Sequence, residues 1–223
     1  WQAKDPVVRY RQAVLDAGSA SESDLKTLED SLAAEVLNSL NQALEEPKPE
    51  YREEDELHDV YAPVPTGPTN EVPPSSDRKL RLIDAIKEGL DQALERHDNL
   101  VFMGQDIAEY GGVFKATDGF VERYGSDRIR NTPLCESAIV GAGVGLSVEG
   151  YKAMVEMQFS DFVTEAMTQI CNQAAKLHYR WGQQADLVIR MPTGAGVAAG
   201  PFHSQSTEAW FARVPGLKVV YPS

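Results

Sequence analysis

The sequence is short of basic residues and of long apolar runs, and each shortage excludes a class of protein. Its 21 lysines and arginines stand against 34 acidic residues, which gives a net charge of −13. The chain therefore lacks the basic face that binding to a nucleic-acid backbone requires. No apolar run approaches the roughly 20 residues that cross a bilayer. We expect neither a nucleic-acid partner nor a membrane partner.

Several common catalytic and metal-binding motifs are also missing. The two cysteines, Cys135 and Cys171, have no CxxC spacing, which predicts a reducing compartment and no structural metal. The sequence has no HExxH zinc motif and no glycine loop with the lysine of a phosphate-binding loop, and Ser204 lies outside a GxSxG motif. The chain starts at Trp1 without a methionine or a signal peptide, so we expect a piece of a longer protein.

Three segments differ in composition. Residues 1–46 predict two helices, of which the second has Ser21 or Ser23 as its N-cap and an apolar stripe suited to packing on a neighbouring domain. Residues 47–78 contain seven of the 13 prolines and a run of acidic residues, which predicts a semi-extended linker. Residues 79–223 alternate strand and helix patterns. The stripe consists of Leu25, Leu28, Leu32, Val36, Leu40 and Leu44.

The alternation in residues 79–223 predicts an α/β fold with a doubly wound parallel sheet. The predicted strands are residues 100–103, 129–131, 153–157, 187–191 and 217–221, and the predicted helices include 80–96, 118–124 and 161–181. On such sheets ligands bind beyond the carboxyl ends of the strands. The segments that follow those ends therefore hold the candidate functional residues.

Glu136 is the first candidate, because it opens an apolar helix that contains Gly141 and Gly145. The helix dipole favours a carboxylate in the first turn. A carboxyl group with little access to water is suited to exchanging a proton near neutrality. The alternative, that Glu136 only complements the helix dipole, stays open. The two glycines predict a helix face that another backbone approaches closely.

Two further candidates follow later strands. His203 lies after the glycine-rich stretch 192–200, where a histidine can donate a proton at neutral pH or serve a structural role. Phe162 is either a core residue or an aromatic ring that stacks on a planar ligand.

Three separated motifs resemble one enzyme family. They are Asn131-Thr-Pro-Leu-Cys-Glu136, Glu156-Met-Gln-Phe-Ser-Asp-Phe162 and Pro201-Phe-His-Ser-Gln-Ser206. Together they resemble the β part of the thiamine-diphosphate-dependent E1 component of 2-oxo acid dehydrogenase complexes, the branched-chain (2-oxoisovalerate) type more than the pyruvate type. Residues 79–223 resemble its transketolase-like pyrimidine-binding domain, truncated. Residues 1–46 resemble the last helices of the E1 α part, so the order of segments implies a fused α–β chain.

The resemblance implies roles for five residues. Glu136 matches the catalytic glutamate that hydrogen-bonds the aminopyrimidine ring of thiamine diphosphate, and His203 matches the catalytic histidine near the reacting carbon. Leu134, Gln158 and Phe162, with Glu136, match the residues that bind the cofactor. The family holds the cofactor diphosphate and Mg²⁺ through a GDG motif that is missing from these residues. We therefore expect no metal ligand here, and a chain that is inactive alone.

The resemblance also implies the reaction and its partners. The expected enzyme is an oxidoreductase that decarboxylates a branched-chain 2-oxo acid and transfers the acyl group to a lipoylated E2 acyltransferase. Fused chains of this kind are expected to form a homo-oligomer, in the cytoplasm of a bacterium or the mitochondrial matrix of a eukaryote. Two alternatives remain, which are a pyruvate dehydrogenase E1 and a catalytically silent assembly module.

Overall fold

The computed structural model describes residues 4–48, 50–63 and 77–222, which form two units that divide after Tyr51. Most prolines of the predicted linker lie outside the described residues. Within the described ranges, no helix is both long and apolar enough to cross a membrane.

The first unit contains the two helices that the sequence predicts. Helix α1 spans Pro6–Asp16 and helix α2 spans Glu22–Glu45. Ser21 caps α2 by accepting a hydrogen bond from the backbone of Asp24, whose side chain in turn accepts one from the Ser21 backbone. This reciprocal pair satisfies backbone donors that a helix start leaves free. The predicted apolar stripe is present on α2, and its side chains from Leu28 onward are at least half exposed.

The second unit begins with a short helix, α3, at Glu53–Asp59. The prediction of a semi-extended linker is wrong for these residues. Four acidic side chains occupy the first turn of α3, where the helix dipole stabilises negative charge. Tyr179 also donates a hydrogen bond to Glu56 at 2.7 Å, which ties α3 to the rest of the unit.

Strands and helices then alternate as the sequence predicts. The strands are β1 (Leu100–Gly104), β2 (Ile129–Asn131), β3 (Lys152–Glu156) and β4 (Leu187–Arg190), and the helices are α4 (Leu82–Arg96), α5 (Phe120–Tyr124), α6 (Glu136–Val148), α7 (Leu177–Trp181) and α8 (Glu208–Phe211). The strands pair in the order β2-β1-β3-β4, and all three pairings are parallel. All the strands therefore end at the same edge of the sheet.

Both faces of the sheet are covered. Along β1, Val101 and Met103 pack into a core that includes α6, and Leu100 and Phe102 pack into a second core that includes α4 and α5. Side chains of a strand point alternately to its two faces, so β1 is apolar on both. The predicted α/β fold with a doubly wound parallel sheet is confirmed.

Two predicted elements differ from the structure. Residues 217–221 form no strand, and Val220 is 82 % exposed, because a strand pattern becomes a strand only where its backbone pairs with a neighbour. The predicted helix 161–181 is divided into a 3₁₀ segment (Ser160–Ala166), a π segment (Thr168–Gln173), a second 3₁₀ segment (Ala174–Lys176) and α7. The carbonyl of Ala175 lies against Gly216, where an added Cβ would come within 2.3 Å of the oxygen.

The close approach on α6 occurs at a glycine that the pattern of Gly141 and Gly145 does not indicate. A Cβ on Gly143 would lie 2.8 Å from Leu187 Cδ1 and 3.0 Å from Val155 Cγ1, whereas a Cβ on Gly145 would meet nothing within 4 Å. Gly143 therefore lets α6 sit directly on β3 and β4. This packing fixes the height of Glu136 above the sheet.

We expect Gly143→Ala to lower the free energy of unfolding by about 1–2 kcal/mol, because Val155 is fully buried and cannot move aside for the added methyl group. Gly145→Ala is the matched control on the same helix, and should raise the free energy of unfolding by about 0.5–1 kcal/mol. Urea denaturation of both variants measures the difference. Equal effects would contradict the close packing at Gly143.

Candidate active site at the carboxyl edge of the sheet

The candidate functional residues lie on the loops that leave the carboxyl ends of the four strands. Gln105 follows β1, Glu136 follows β2 through a short turn, and the stretch 158–162 follows β3. The stretch 191–206 follows β4. Because the sheet is parallel, these loops share one edge, where ligands of open α/β sheets bind.

Glu136 begins α6 and its side chain is buried, with 7 % of the residue exposed. Its Oε1 accepts a hydrogen bond from Gln105 Nε2 at 3.0 Å, and Gln105 is buried to the same degree. A buried carboxyl group needs such a partner, because its desolvation is otherwise uncompensated. Oε1 is thus engaged by a neutral donor.

Sequence reasoning missed Gln105, although a usable signal was present. Gln105 directly follows the buried strand β1, the same position relative to a strand that singled out the other candidates. The next residue, Asp106, accepts a long hydrogen bond of 3.5 Å from Gln158. The two consecutive residues therefore connect Glu136 on one side with the predicted cofactor ligand Gln158 on the other.

Phe162 and His203 are brought together, as part of an aromatic cluster. The His203 ring lies edge-on to Phe162 with centroids 5.3 Å apart, and edge-on to Phe159 at 5.2 Å. Phe114 packs against Phe159 at 5.7 Å. Phe162 and His203 are half-buried, so each ring keeps an accessible part. Phe159 and Phe114 were not predicted as site residues.

Leu134 differs from the other predicted cofactor ligands. It is 80 % exposed on the turn before α6, and the adjacent Cys135 is exposed as well. Phe202, the neighbour of His203, is 73 % exposed. Large exposed apolar side chains next to buried polar groups are typical of a surface that meets a ligand or another protein.

A buried ion pair lies at the same edge of the sheet. Glu156 ends β3 with 3 % of its surface exposed and accepts a hydrogen bond from Arg190, which ends β4 opposite it. Burial raises the pKa of the Glu156 carboxyl group, and the Arg190 guanidinium opposes that rise. A Cβ on Gly112 would lie 3.4 Å from Glu156 Oε1, so this loop packs on the pair.

Among the described residues, no three His, Cys, Asp or Glu side chains are grouped so that they could hold a metal ion. The arrangement at this edge instead offers a buried carboxyl group, amide donors and half-buried aromatic rings. That set of groups suits a planar, nitrogen-containing heterocycle.

Comparison with known proteins agrees with this description. The family described as "Transketolase, pyrimidine binding domain" matches residues 78–223. The chain is 46% identical over 143 residues to the 2-oxoisovalerate dehydrogenase subunit beta of Bacillus subtilis, which covers 63% of this chain and 44% of that protein. It is 45% identical over 149 residues to the mitochondrial 2-oxoisovalerate dehydrogenase subunit beta of Dictyostelium discoideum, covering 66% of this chain and 40% of that protein.

A further relative carries another name. The chain is 40% identical over 146 residues to the pyruvate dehydrogenase E1 component subunit beta of Acholeplasma laidlawii, which covers 65% of this chain and 45% of that protein. The chain thus spans less than half the length of each of these three relatives.

We expect Arg190→Met to lower the free energy of unfolding at neutral pH by about 3 kcal/mol, because it leaves the Glu156 carboxylate buried without a cation. The loss of the cation raises the pKa of Glu156 further. A raised pKa in the folded state means that stability falls as pH rises through it, so the defect should shrink from about pH 8 to about pH 5.

The double variant Glu156→Gln/Arg190→Met is the matched control, since it removes the charge together with its partner. It should recover part of the stability and lose the pH dependence of the single variant. Thermal or urea denaturation across that pH range measures both. A defect of Arg190→Met that is the same at both pH values would contradict the role of the buried charge.

Proposed function

The chain belongs to the transketolase pyrimidine-binding domain family, and on that premise we propose that it is the cofactor-activating half of a thiamine-diphosphate-dependent 2-oxo acid dehydrogenase E1 component. The observation that carries the proposal is the buried Glu136 carboxyl group, held by a neutral amide at the ligand-binding edge of the sheet. The reaction is the oxidative decarboxylation of a 2-oxo acid with transfer of the acyl group to a lipoyl disulfide, which is reduced as the acyl–sulfur bond forms.

A branched-chain 2-oxo acid is the favoured substrate. Relatives at 42% to 46% identity are named 2-oxoisovalerate dehydrogenase subunit beta, whereas the pyruvate dehydrogenase relative is at 40%. These values are close, so pyruvate stays as the second candidate. The motifs around Glu136 and His203 favour the branched-chain type.

The residues present fit the pyrimidine end of thiamine diphosphate. An aminopyrimidine ring offers nitrogen atoms for hydrogen bonds and a planar face for stacking. Glu136 supplies a carboxyl group of which Gln105 occupies only Oε1, and Phe162 supplies a half-buried ring. Gln158 adds an amide. Among the described residues, no three His, Cys, Asp or Glu side chains are grouped to hold a metal ion. Because the sequence has no GDG motif, we assign the diphosphate and its Mg²⁺ to another part of the protein.

When bound, the cofactor supplies the electron sink for decarboxylation. The residues of this chain bind, orient and exchange protons. Glu136 would share a proton with the pyrimidine ring through its second oxygen, because Gln105 occupies the first. Burial of both side chains keeps water from competing for that proton. Phe162 would hold the ring by stacking, with an energy of about 1 kcal/mol, and Leu134 would add an apolar contact.

His203 serves the second half of the reaction. Its imidazole ring is placed beside Phe162, where it can donate a proton to the acyl-transfer step or orient the lipoyl disulfide. His203 is half-buried, so part of its surface stays accessible to an incoming group. Phe202, the neighbour of His203, is exposed, and we assign it to contact with the part that holds the diphosphate.

We further propose that the N-terminal unit is the end of an E1 α part fused to this β part. The two capped helices of residues 4–51 and the motif order support this assignment. The partners are then a lipoylated E2 acyltransferase and further copies of the fused chain. Such an enzyme works in the bacterial cytoplasm or the mitochondrial matrix, in line with relatives that include bacterial and mitochondrial proteins.

Glu136→Gln in the complete protein should lower decarboxylation by at least about a hundredfold, the range expected for the loss of a proton-transferring group. Glutamine keeps the size of the side chain and its hydrogen-bonding capacity but cannot share the proton. Release of CO₂ with an artificial electron acceptor measures the step, and calorimetry with thiamine diphosphate and Mg²⁺ measures binding.

Glu149→Gln, at the exposed end of the same helix, is the matched control. It should leave the rate of CO₂ release and the affinity for thiamine diphosphate unchanged. Near-normal turnover of Glu136→Gln would refute the assigned role. If the unaltered protein binds no thiamine diphosphate, the chain is a silent assembly module and the proposed function is wrong.

The substrate assignment has its own test. The unaltered complete protein should show a kcat/KM for 2-oxoisovalerate at least about tenfold above that for pyruvate, because each extra methyl group in a fitted pocket contributes about 1–3 kcal/mol. Both values come from the same reductive acylation assay. A preference for pyruvate would identify a pyruvate dehydrogenase E1 and leave the cofactor assignment intact.

A further inference from the structure

The loop that carries His203 is anchored two residues further on, at Gln205. Asp161 Oδ1 accepts hydrogen bonds from the Gln205 backbone N–H at 3.2 Å and from its side-chain Nε2 at 3.0 Å. The Gln205 carbonyl accepts two more, from Ser160 Oγ at 2.6 Å and Thr193 Oγ1 at 2.7 Å. Every polar group of Gln205 except its side-chain oxygen is therefore engaged by these three residues.

The residues on either side of Ser160 and Asp161 hold the histidine itself. Phe159 and Phe162 both contact the His203 ring edge-on. Four consecutive residues, 159–162, thus hold the loop at two places, through rings at His203 and through hydrogen bonds at Gln205. We call these residues the 159–162 clamp.

The two central residues of the clamp are buried, whereas much of the loop is exposed. Ser160 and Asp161 are buried, with 2 % and 7 % of their surfaces exposed, and Ser160 N–H donates to the Pro192 carbonyl at 2.9 Å. The loop, in contrast, is exposed over residues 196–202 and contains three glycines between 194 and 200. Glycine leaves a backbone free to take many conformations. Within the loop, the His203 N–H donates to the Gly200 carbonyl at 3.3 Å, and the two phenylalanines of the clamp hold the His203 ring from outside the loop.

We propose that Asp161 is a positioning residue for His203, acting through Gln205. The carboxylate accepts two N–H bonds at once, and charge-assisted bonds of this kind are the strong ones. Without these two bonds, Gln205 keeps only the contacts of its carbonyl oxygen. The imidazole ring of His203 then loses its edge-on position against Phe162. The proposal rests on the proposed function for the role of His203, but the position of the ring can be tested independently.

The variants separate the charge from the acceptor geometry. Asp161→Ala removes both bonds, and Asp161→Asn keeps an oxygen that can accept them without the charge. Gln205→Met removes the side-chain amide and its bond to Asp161, and keeps the bond from the backbone N–H. Asp186→Asn is the matched control, since Asp186 pairs with Lys152 at the opposite edge of the sheet. Circular dichroism and thermal denaturation confirm that each variant is folded.

The first readout needs no cofactor and no activity. Modification of histidines by diethyl pyrocarbonate, followed peptide by peptide by mass spectrometry, reports access to the His203 ring, with His178 as internal reference. We expect His203 to react at least about tenfold faster in Asp161→Ala, less so in Asp161→Asn and Gln205→Met, and unchanged in Asp186→Asn. An unchanged His203 rate in a folded Asp161→Ala protein would overturn the proposal.

The second readout measures decarboxylation and acyl transfer separately. In the complete enzyme, Asp161→Ala should lower acyl transfer to a lipoyl acceptor about as much as His203→Ala does, while decarboxylation with an artificial acceptor stays within about threefold of normal. Equal loss of both steps would mean a general structural role and would overturn the positioning role. If the unaltered enzyme has no such activity, the proposed function fails, and the modification rates still decide the positioning of His203.

Discussion

The parallel pairing of β1 with both β2 and β3 is the constraint on which the candidate site depends. Phe102 is in register with Ile129 on one side and with Met154 on the other, so the three strands end together. A parallel sheet places all its carboxyl ends at one edge, and the chain must cross over through helices to return. Residues that lie far apart in sequence, such as Gln105 and Glu136, therefore begin from neighbouring positions.

Two buried carboxyl groups at this edge are stabilised in different ways, and the difference bears on their roles. Glu156 is paired with the Arg190 cation, which favours its ionised form and makes it a structural tie between β3 and β4. Glu136 is held by the neutral amide of Gln105. An amide donor compensates part of the desolvation of the carboxyl group but adds no charge. The catalytic role that we propose for Glu136 rests on this second arrangement.

Much of the fold could be predicted, because local patterns of apolar and polar residues determine its strands and helices. The alternation of apolar runs and amphipathic helices identified the four strands of the described residues and helices α4, α5 and α6, but it predicted one helix over residues 161–181, where the structure has 3₁₀ and π segments before α7. Three short motifs identified the family that residues 78–223 match. Patterns fix which side of an element is buried, but they do not fix its partner. Gly143 looked no different from Gly145 in sequence, yet only Gly143 faces β3 and β4. Residues 217–221 likewise have the pattern of a strand but pair with no neighbouring strand.

The side chains that contact the candidate catalytic groups could not be predicted from local sequence patterns. Gln105 lies 31 residues from Glu136 and Asp161 lies 44 residues from Gln205, and each bond joins loops whose meeting depends on the register of the sheet. A polar residue after a strand is common, so its type carries little information until its partner is known. Burying a polar group without a hydrogen-bond partner costs free energy. The two residues of each pair must therefore be buried together. The sequence therefore names the candidate catalytic residues, and the structure adds which side chains contact them.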